Sequence, residues 1–127
     1  MTSTTSYRNG QLYVEEAAVA DLATRWGTPL YVYSRTFMRE RIRALAAAMA
    51  PVQPLICYSV KANSNLAVIG TFVEEGAGLD IVSGGELFRS LRAGVPGERI
   101  VFSGVGKSDA EIRYAIDMWD IDGVTTN

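Results

Sequence analysis

Along the chain the apolar positions switch repeatedly between a two-residue and a 3.6-residue rhythm. A tight-turn signal at Asn9-Gly10 precedes a strand-like stretch at 11–14. Val19, Leu22, Ala23 and Trp26 then share one helical face, which predicts a helix over 15–26 stopped by Gly27-Thr28-Pro29. Residues 30–33 read as a strand. Ser34 reads as the cap of a helix in which Met38, Ile42, Leu45 and Met49 step by 4, 3 and 4 before Pro51. The alternation continues with strands at 55–60, 79–82 and 99–103 and helices at 65–75, 84–93 and 109–117. Ser83 and Ser108 are each followed three residues later by a glutamate, the pattern of a capping box at a helix start.

Strands alternating with helices imply an α/β fold with a parallel sheet and helical crossovers. Four strand–helix units begin at Leu30, Leu55, Leu79 and Arg99. A closed (β/α)8 barrel takes eight units and about 250 residues. The pattern therefore allows either an open sheet complete in itself or a portion of a larger barrel.

Charge and composition narrow the partners. The net charge is −2 and no basic patch stands out, which argues against nucleic acid or an anionic membrane. Arg35, Arg39, Arg41 and Arg43 do cluster, but they share a helix with Glu40 and an alanine run, as a solvated face does. No apolar stretch approaches the ~20 residues of a membrane span. The start of the chain lacks a hydrophobic signal core, so the expected location is cytoplasmic. Histidine is absent, which excludes Ser-His-Asp and Cys-His catalysis within this chain. The single cysteine, Cys57, sits in an apolar run and reads as a small core thiol; with no histidine beside it, a transition-metal site is not expected.

The candidate chemistry gathers at strand ends, where parallel α/β folds build their sites. Lys61 lies just past the predicted strand at 55–60, and it is one of only two lysines against ten arginines. Lysine can lose its proton and attack a carbonyl, whereas arginine practically cannot. Asp80 stands inside an apolar strand, where a carboxylate needs a partner. Residues 103–108 end in Gly106-Lys107-Ser108 like a phosphate-binding loop, but the first glycine of that pattern is replaced by Val101. Gly76-Ala77-Gly78 lacks the third glycine of a dinucleotide fingerprint, which would fall at Ile81.

Taken together, Tyr58-Ser59-Val60-Lys61-Ala62-Asn63, the run from Gly78 to Leu87 and the run from Arg99 to Lys107 resemble the fold-type III pyridoxal-phosphate (PLP) decarboxylases, in order and in spacing. The stretches 10–15 and 27–33 fit the same family, and Val82-Ser83-Gly84-Gly85-Glu86-Leu87 looks most like its diaminopimelate decarboxylase branch. The resemblance implies a partial PLP-binding TIM-like barrel of about four βα units, with an N-terminal strand belonging to the family's β-domain. The implied organisation is a lead-in over 1–29, the first half of the barrel over 30–117, and a tail over 118–127. Lys61 matches the lysine that joins PLP as a Schiff base. Asp80 matches an acid close to that lysine and the cofactor. Glu86 matches a further acid near the site, although its capping pattern explains it equally. The implied reaction converts the amino acid meso-2,6-diaminoheptanedioate to L-lysine, in a family commonly homodimeric. An ornithine or arginine decarboxylase, a racemase, or an inactive PLP-binding fragment is the alternative.

The resemblance also implies parts that this chain does not carry: a glycine-rich phosphate cradle, a histidine stacked on the cofactor ring, and the acid at its pyridine nitrogen. The stretch from Met118 to Asn127 resembles nothing in the family, and the expectation is a frameshift or premature stop near Met118, or a fragment of a longer protein. A half barrel would leave an unpaired sheet edge and an exposed apolar face.

Overall fold

The structure is a computed structural model that describes residues 4–119, 121 and 123–125. It divides into two compact units, 1–40 and 41–127.

In the first unit, β1 (Thr5–Arg8), β2 (Gln11–Val14) and β3 (Ala17–Ala18) form an antiparallel sheet in that order. Asn9 and Gly10 join β1 to β2 with φ of 50° and 78°. A two-residue hairpin turn needs this left-handed pair, which glycine and asparagine tolerate. The predicted helix over 15–26 begins late, as α1 (Val19–Trp26). Glu15 takes φ 53°, and β3 pairs with β2, so four residues with helical periodicity are drawn into a turn and a strand. The Glu15 carboxylate accepts from Ser34 Oγ (2.5 Å) and from Thr36 N (2.9 Å). Ser34 Oγ in turn accepts from Phe37 N (3.0 Å), capping α2 (Arg35–Met49) as its sequence position suggests.

Residues 30–33 form no strand. Their side chains are exposed, and no ladder partner for them exists among the described residues. A strand is defined by its neighbour, which local hydrophobicity cannot supply.

In the second unit, β4 (Cys57–Ser59), β5 (Gly78–Ile81), β6 (Ile100–Phe102) and β7 (Gly123–Val124) form a parallel sheet in chain order. Between them lie α3 (Leu66–Glu74), α4 (Gly84–Arg92) and α5 (Asp109–Trp119). β7 falls in the stretch from Met118 onward, which is expected to depart from the family, yet it joins the sheet as a parallel strand. Ile121 beside it is buried in the core, whereas positions 120, 122, 126 and 127 lie outside the described residues.

One face of this sheet is dry. Leu79, Ile81, Ile100 and Phe102 point into a single cluster with Ile69 of α3, Leu87 of α4 and Ala115 of α5. All three helices therefore cover the same side, as right-handed crossovers between strands laid down in order require. A doubly wound sheet would carry helices on both faces. Singly wound, the unit is an arc of a β/α barrel, which answers the question the periodicity left open. The opposite face alternates to Cys57, Ser59, Asp80, Val101 and Ser103, all half-buried.

Candidate active site at the C-terminal edge of the sheet

Lys61 follows β4 in a single 3-10 turn, Val60–Ala62. Val60 is fully buried and pins the turn, while Lys61 points to solvent. The segment after it is tied down at successive points. Tyr58 Oη donates to the Asn63 carbonyl (3.1 Å), and the Tyr58 ring stacks on Phe72 at 4.2 Å between centroids. Arg89 donates to the Ser64 carbonyl (3.2 Å), and Asn65 caps α3 through Ala67 N (2.9 Å). A lysine on a turn held this way has a fixed root and a free head. No hydrogen bond or ion pair of Lys61 occurs among the described residues.

Register brings Asp80 to the same end. Ser59 lies opposite Asp80, and Asp80 opposite Val101, so Ser59, Asp80 and Ser103 emerge on the open face. Ser59 Oγ donates to one carboxylate oxygen (3.0 Å) and Ser103 Oγ to the other (2.5 Å). The turn bearing Lys61 packs on β5, the strand that carries Asp80. Ser59, Ser103, Tyr58 and Arg89 were not singled out from sequence. The two serines carried a usable signal, since each ends a strand with the parity of the open face.

Glu86 is engaged in the turn. Its carboxylate accepts from Val82 N (2.9 Å), and its own amide donates to Ser83 Oγ (3.2 Å). The predicted box thus forms, with the glutamate reaching one residue past the cap. Ser108 and Glu111 close the second box in both directions: Ser108 N donates to Glu111 (3.0 Å) and Glu111 N to Ser108 Oγ (3.3 Å). The other oxygen of Glu111 accepts from Gly84 N (2.7 Å), so one side chain serves the first turns of α4 and α5. Amides from Ser108 and Gly84, with the Ser108 hydroxyl, hold the Glu111 carboxyl below its ordinary range.

Helix N-termini beside a site can take an anion. Here the Gly84, Glu86 and Ser108 amides are already occupied by the chain's own oxygens. The 103–108 loop is also closed upon itself: Lys107 Nζ donates to the Gly104 carbonyl and lies 5.5 Å from the Phe102 ring. These residues fit the amine-bearing part of a PLP site and not its phosphate cradle. A cleft of about 360 Å³ runs between α2 and β4, lined by Ile42, Leu45, Ile56, Tyr58 and Phe72 among others. Neither Lys61 nor Asp80 lines it, but Ser59, which donates to Asp80, and Ala62, next to Lys61, do.

No helix among the described residues is long and apolar enough to cross a membrane. The pyridoxal binding domain of the pyridoxal-dependent decarboxylases matches residues 35–125. A diaminopimelate decarboxylase of Aquifex aeolicus is 50% identical over 111 residues, covering 87% of this chain and 26% of that protein. A crystal structure from the same organism superposes with a TM-score of 0.86 at 48% identity, over 90% of this chain and 28% of that one. A diaminopimelate decarboxylase from M. jannaschii, solved with L-lysine, gives a TM-score of 0.79 at 31% identity, over 89% of this chain and 27% of that one. The chain thus spans about a quarter of the length of these relatives. With a singly wound β/α arc, a lysine at its C-terminal edge and this match over residues 35–125, the chain belongs to the pyridoxal-dependent decarboxylase family, through its pyridoxal-binding domain.

Proposed function

We propose that this chain carries the cofactor lysine of a PLP-dependent diaminopimelate decarboxylase, with Lys61 as that lysine. The observation that carries the reading is an exposed lysine rooted on a rigid turn at the C-terminal edge of a parallel sheet, at the same end as a doubly hydrogen-bonded carboxylate. Half-identity to proteins named diaminopimelate decarboxylase supports the choice of substrate.

In this reading PLP, when bound, supplies the electron withdrawal that lets a carboxylate leave the substrate's α-carbon as CO2. Lys61 would hold the cofactor through its side-chain amine, which is a nucleophile once it has lost its proton. Asp80 provides a fixed counter-charge at the same edge of the sheet. Glu86 keeps the turn after β5 in shape, and its contribution to the cofactor pocket comes through that turn. The phosphate would be held elsewhere, since the Gly84, Glu86 and Ser108 amides are taken by the chain's own oxygens. The substrate is a free amino acid, and the setting is cytoplasmic.

The test is CO2 release from meso-2,6-diaminoheptanedioate by the protein containing this segment, with ornithine and arginine as competitors. Lys61→Ala should reduce the rate to background and Lys107→Ala should leave most of it. Preference for ornithine or arginine would refute the substrate, and activity surviving Lys61→Ala would refute the site.

A further inference from the structure

The connector that follows Lys61 has little backbone bonding of its own. Val60–Ala62 is a single 3-10 turn, Asn63 leaves it in an extended conformation, and α3 begins only at Leu66. Among the described residues the Asn63 and Ser64 carbonyls accept from no backbone amide. Both residues are half-buried, where an unpaired carbonyl is costly. Side chains from other elements meet them instead. Tyr58 Oη, from β4, donates to the Asn63 carbonyl (3.1 Å), and Arg89 Nη1, from α4, donates to the Ser64 carbonyl (3.2 Å).

We propose that Tyr58 and Arg89 are positioning residues that set the direction from which Lys61 presents its amine to the cofactor. This rests on Lys61 being the cofactor lysine. Tyr58 stands before Lys61 in the chain and bonds beyond it, so its bond closes a short loop with Lys61 inside. The tyrosine is itself fixed: its ring lies on Phe72 of α3, with centroids 4.2 Å apart and planes 11° from parallel, and it packs against the buried cluster. Its hydroxyl is therefore delivered to one place. Val60 is fully buried and anchors the other side of Lys61. Arg89 ties the next carbonyl to a different helix, so the connector is held from β4 and from α4. A lysine head rides on a flexible stem, so its root is where the fold can set the line of approach. A cofactor joined to that amine inherits the direction of the root. Small misplacements of a reacting group cost rate far more than they cost stability.

The experiment uses the full-length protein containing this segment, loaded with PLP, and compares Tyr58→Phe, Arg89→Met and the double variant with wild type. Tyr58→Phe keeps the ring on Phe72 and removes only the donor. The readouts are kcat and KM for meso-2,6-diaminoheptanedioate, cofactor content, thermal midpoint, and the circular dichroism of the cofactor's absorption band. An achiral chromophore gains dichroism when held in one orientation, so the band per bound cofactor reports direction and not stability. Loss of one hydrogen bond should lower kcat ~3- to 10-fold in Tyr58→Phe, with KM within about two-fold of wild type. Arg89 is exposed, and Arg89→Met should cost less, about 2- to 3-fold. Arg89→Lys keeps a charged donor and should return the wild-type values. The double variant should lose at least ~10-fold in kcat, with a weaker band per bound cofactor. Unchanged kcat and dichroism in the double variant would overturn the proposal and leave Lys61 as the cofactor lysine. A kcat that falls only in proportion to cofactor content or folded fraction, at full dichroism, would make the bonds structural and overturn it equally. A raised KM at constant kcat would assign the pair to substrate binding, against the proposal. Failure of the underlying reading has a different mark: wild-type protein with no borohydride-reducible cofactor on Lys61, which would overturn both.

Discussion

Replacing Glu111 with alanine should release the Gly84 amide, although the two residues are 27 apart in sequence. Gly84 is the first residue of α4, so its N–H has no acceptor within the helix. Its partner is the Glu111 carboxylate at 2.7 Å. A hydrogen bond to a charged group contributes about 1.5–3 kcal/mol when buried. This one is only partly buried, so solvent screening brings it to the low end, about 1.5 kcal/mol. That corresponds to a roughly 10-fold fall in hydrogen-exchange protection at Gly84. Ser108 N, held by the same carboxylate, should lose protection in parallel. Glu111→Gln keeps a neutral acceptor and should lose about half as much in free energy, or roughly 3-fold.

The pH dependence has a definite sign. The carboxyl is held below its ordinary value by the amides and hydroxyl that bond to it, so in the window between the folded and unfolded values the unfolded chain binds more protons. The stabilisation is fully present above the unfolded value, about 4.3, and is lost as pH falls through the depressed folded value. Protection at Gly84, corrected for intrinsic exchange, should fall over that interval in the wild type and stay flat in Glu111→Gln. Protection within two-fold of wild type in Glu111→Ala would show that the carboxylate does not hold α4 and would refute the argument that this helix N-terminus is already filled.

Other outcomes follow from the same contacts. Phe102→Ala removes a fully buried ring from the cluster shared by the sheet and helices, and should cost about 3–5 kcal/mol, read as loss of soluble folded protein or a lowered melting midpoint; a cost below 1 kcal/mol would contradict the core assignment. Gly78→Ala would place a Cβ 2.6 Å from the Arg99 carbonyl and 2.9 Å from Cys57 Sγ, so strands must move apart at a cost of about 1–3 kcal/mol, measurable by denaturant titration. The Cys57 thiol is pushed up from its ordinary value by burial first and by the nearby Asp80 charge second. Alkylation by iodoacetamide should therefore be slow at pH 7 to 8 and accelerate only above the usual thiol range; rapid reaction at pH 7 would place Cys57 elsewhere.

The helices and the dry face of the sheet were legible in the sequence because local signals agree there. Ser34, Ser83 and Ser108 are caps, and Leu79, Ile81, Ile100 and Phe102 are apolar with a strand's period. One strand reading failed, and one strand carried no reading, where the deciding partner is distant. Residues 30–33 have a strand's composition but no ladder, and Gly123–Val124 has a poor strand composition but a ready edge on β6. Glycine fits there because a Cβ at 123 would lie 2.8 Å from the Ile100 carbonyl, a closeness that sequence does not display. At the site, position and chemistry pointed to Lys61 and Asp80. The serines that hold Asp80 carried only the parity of their strands, because their pairing with it depends on the cross-strand register. Glu86 carried two explanations in sequence, and the bond from Val82 N to one of its oxygens is the turn-holding one.

The most direct test of the central claim is to incubate the protein with PLP, reduce with borohydride and map the adduct by mass spectrometry. Lys61 is exposed and unpaired among the described residues, whereas Lys107 is bonded to the Gly104 carbonyl and lies beside Phe102. The account predicts a stoichiometric pyridoxyl group on Lys61 and none on Lys107. Equal labelling of the two lysines, or an adduct on Lys107 alone, would contradict it.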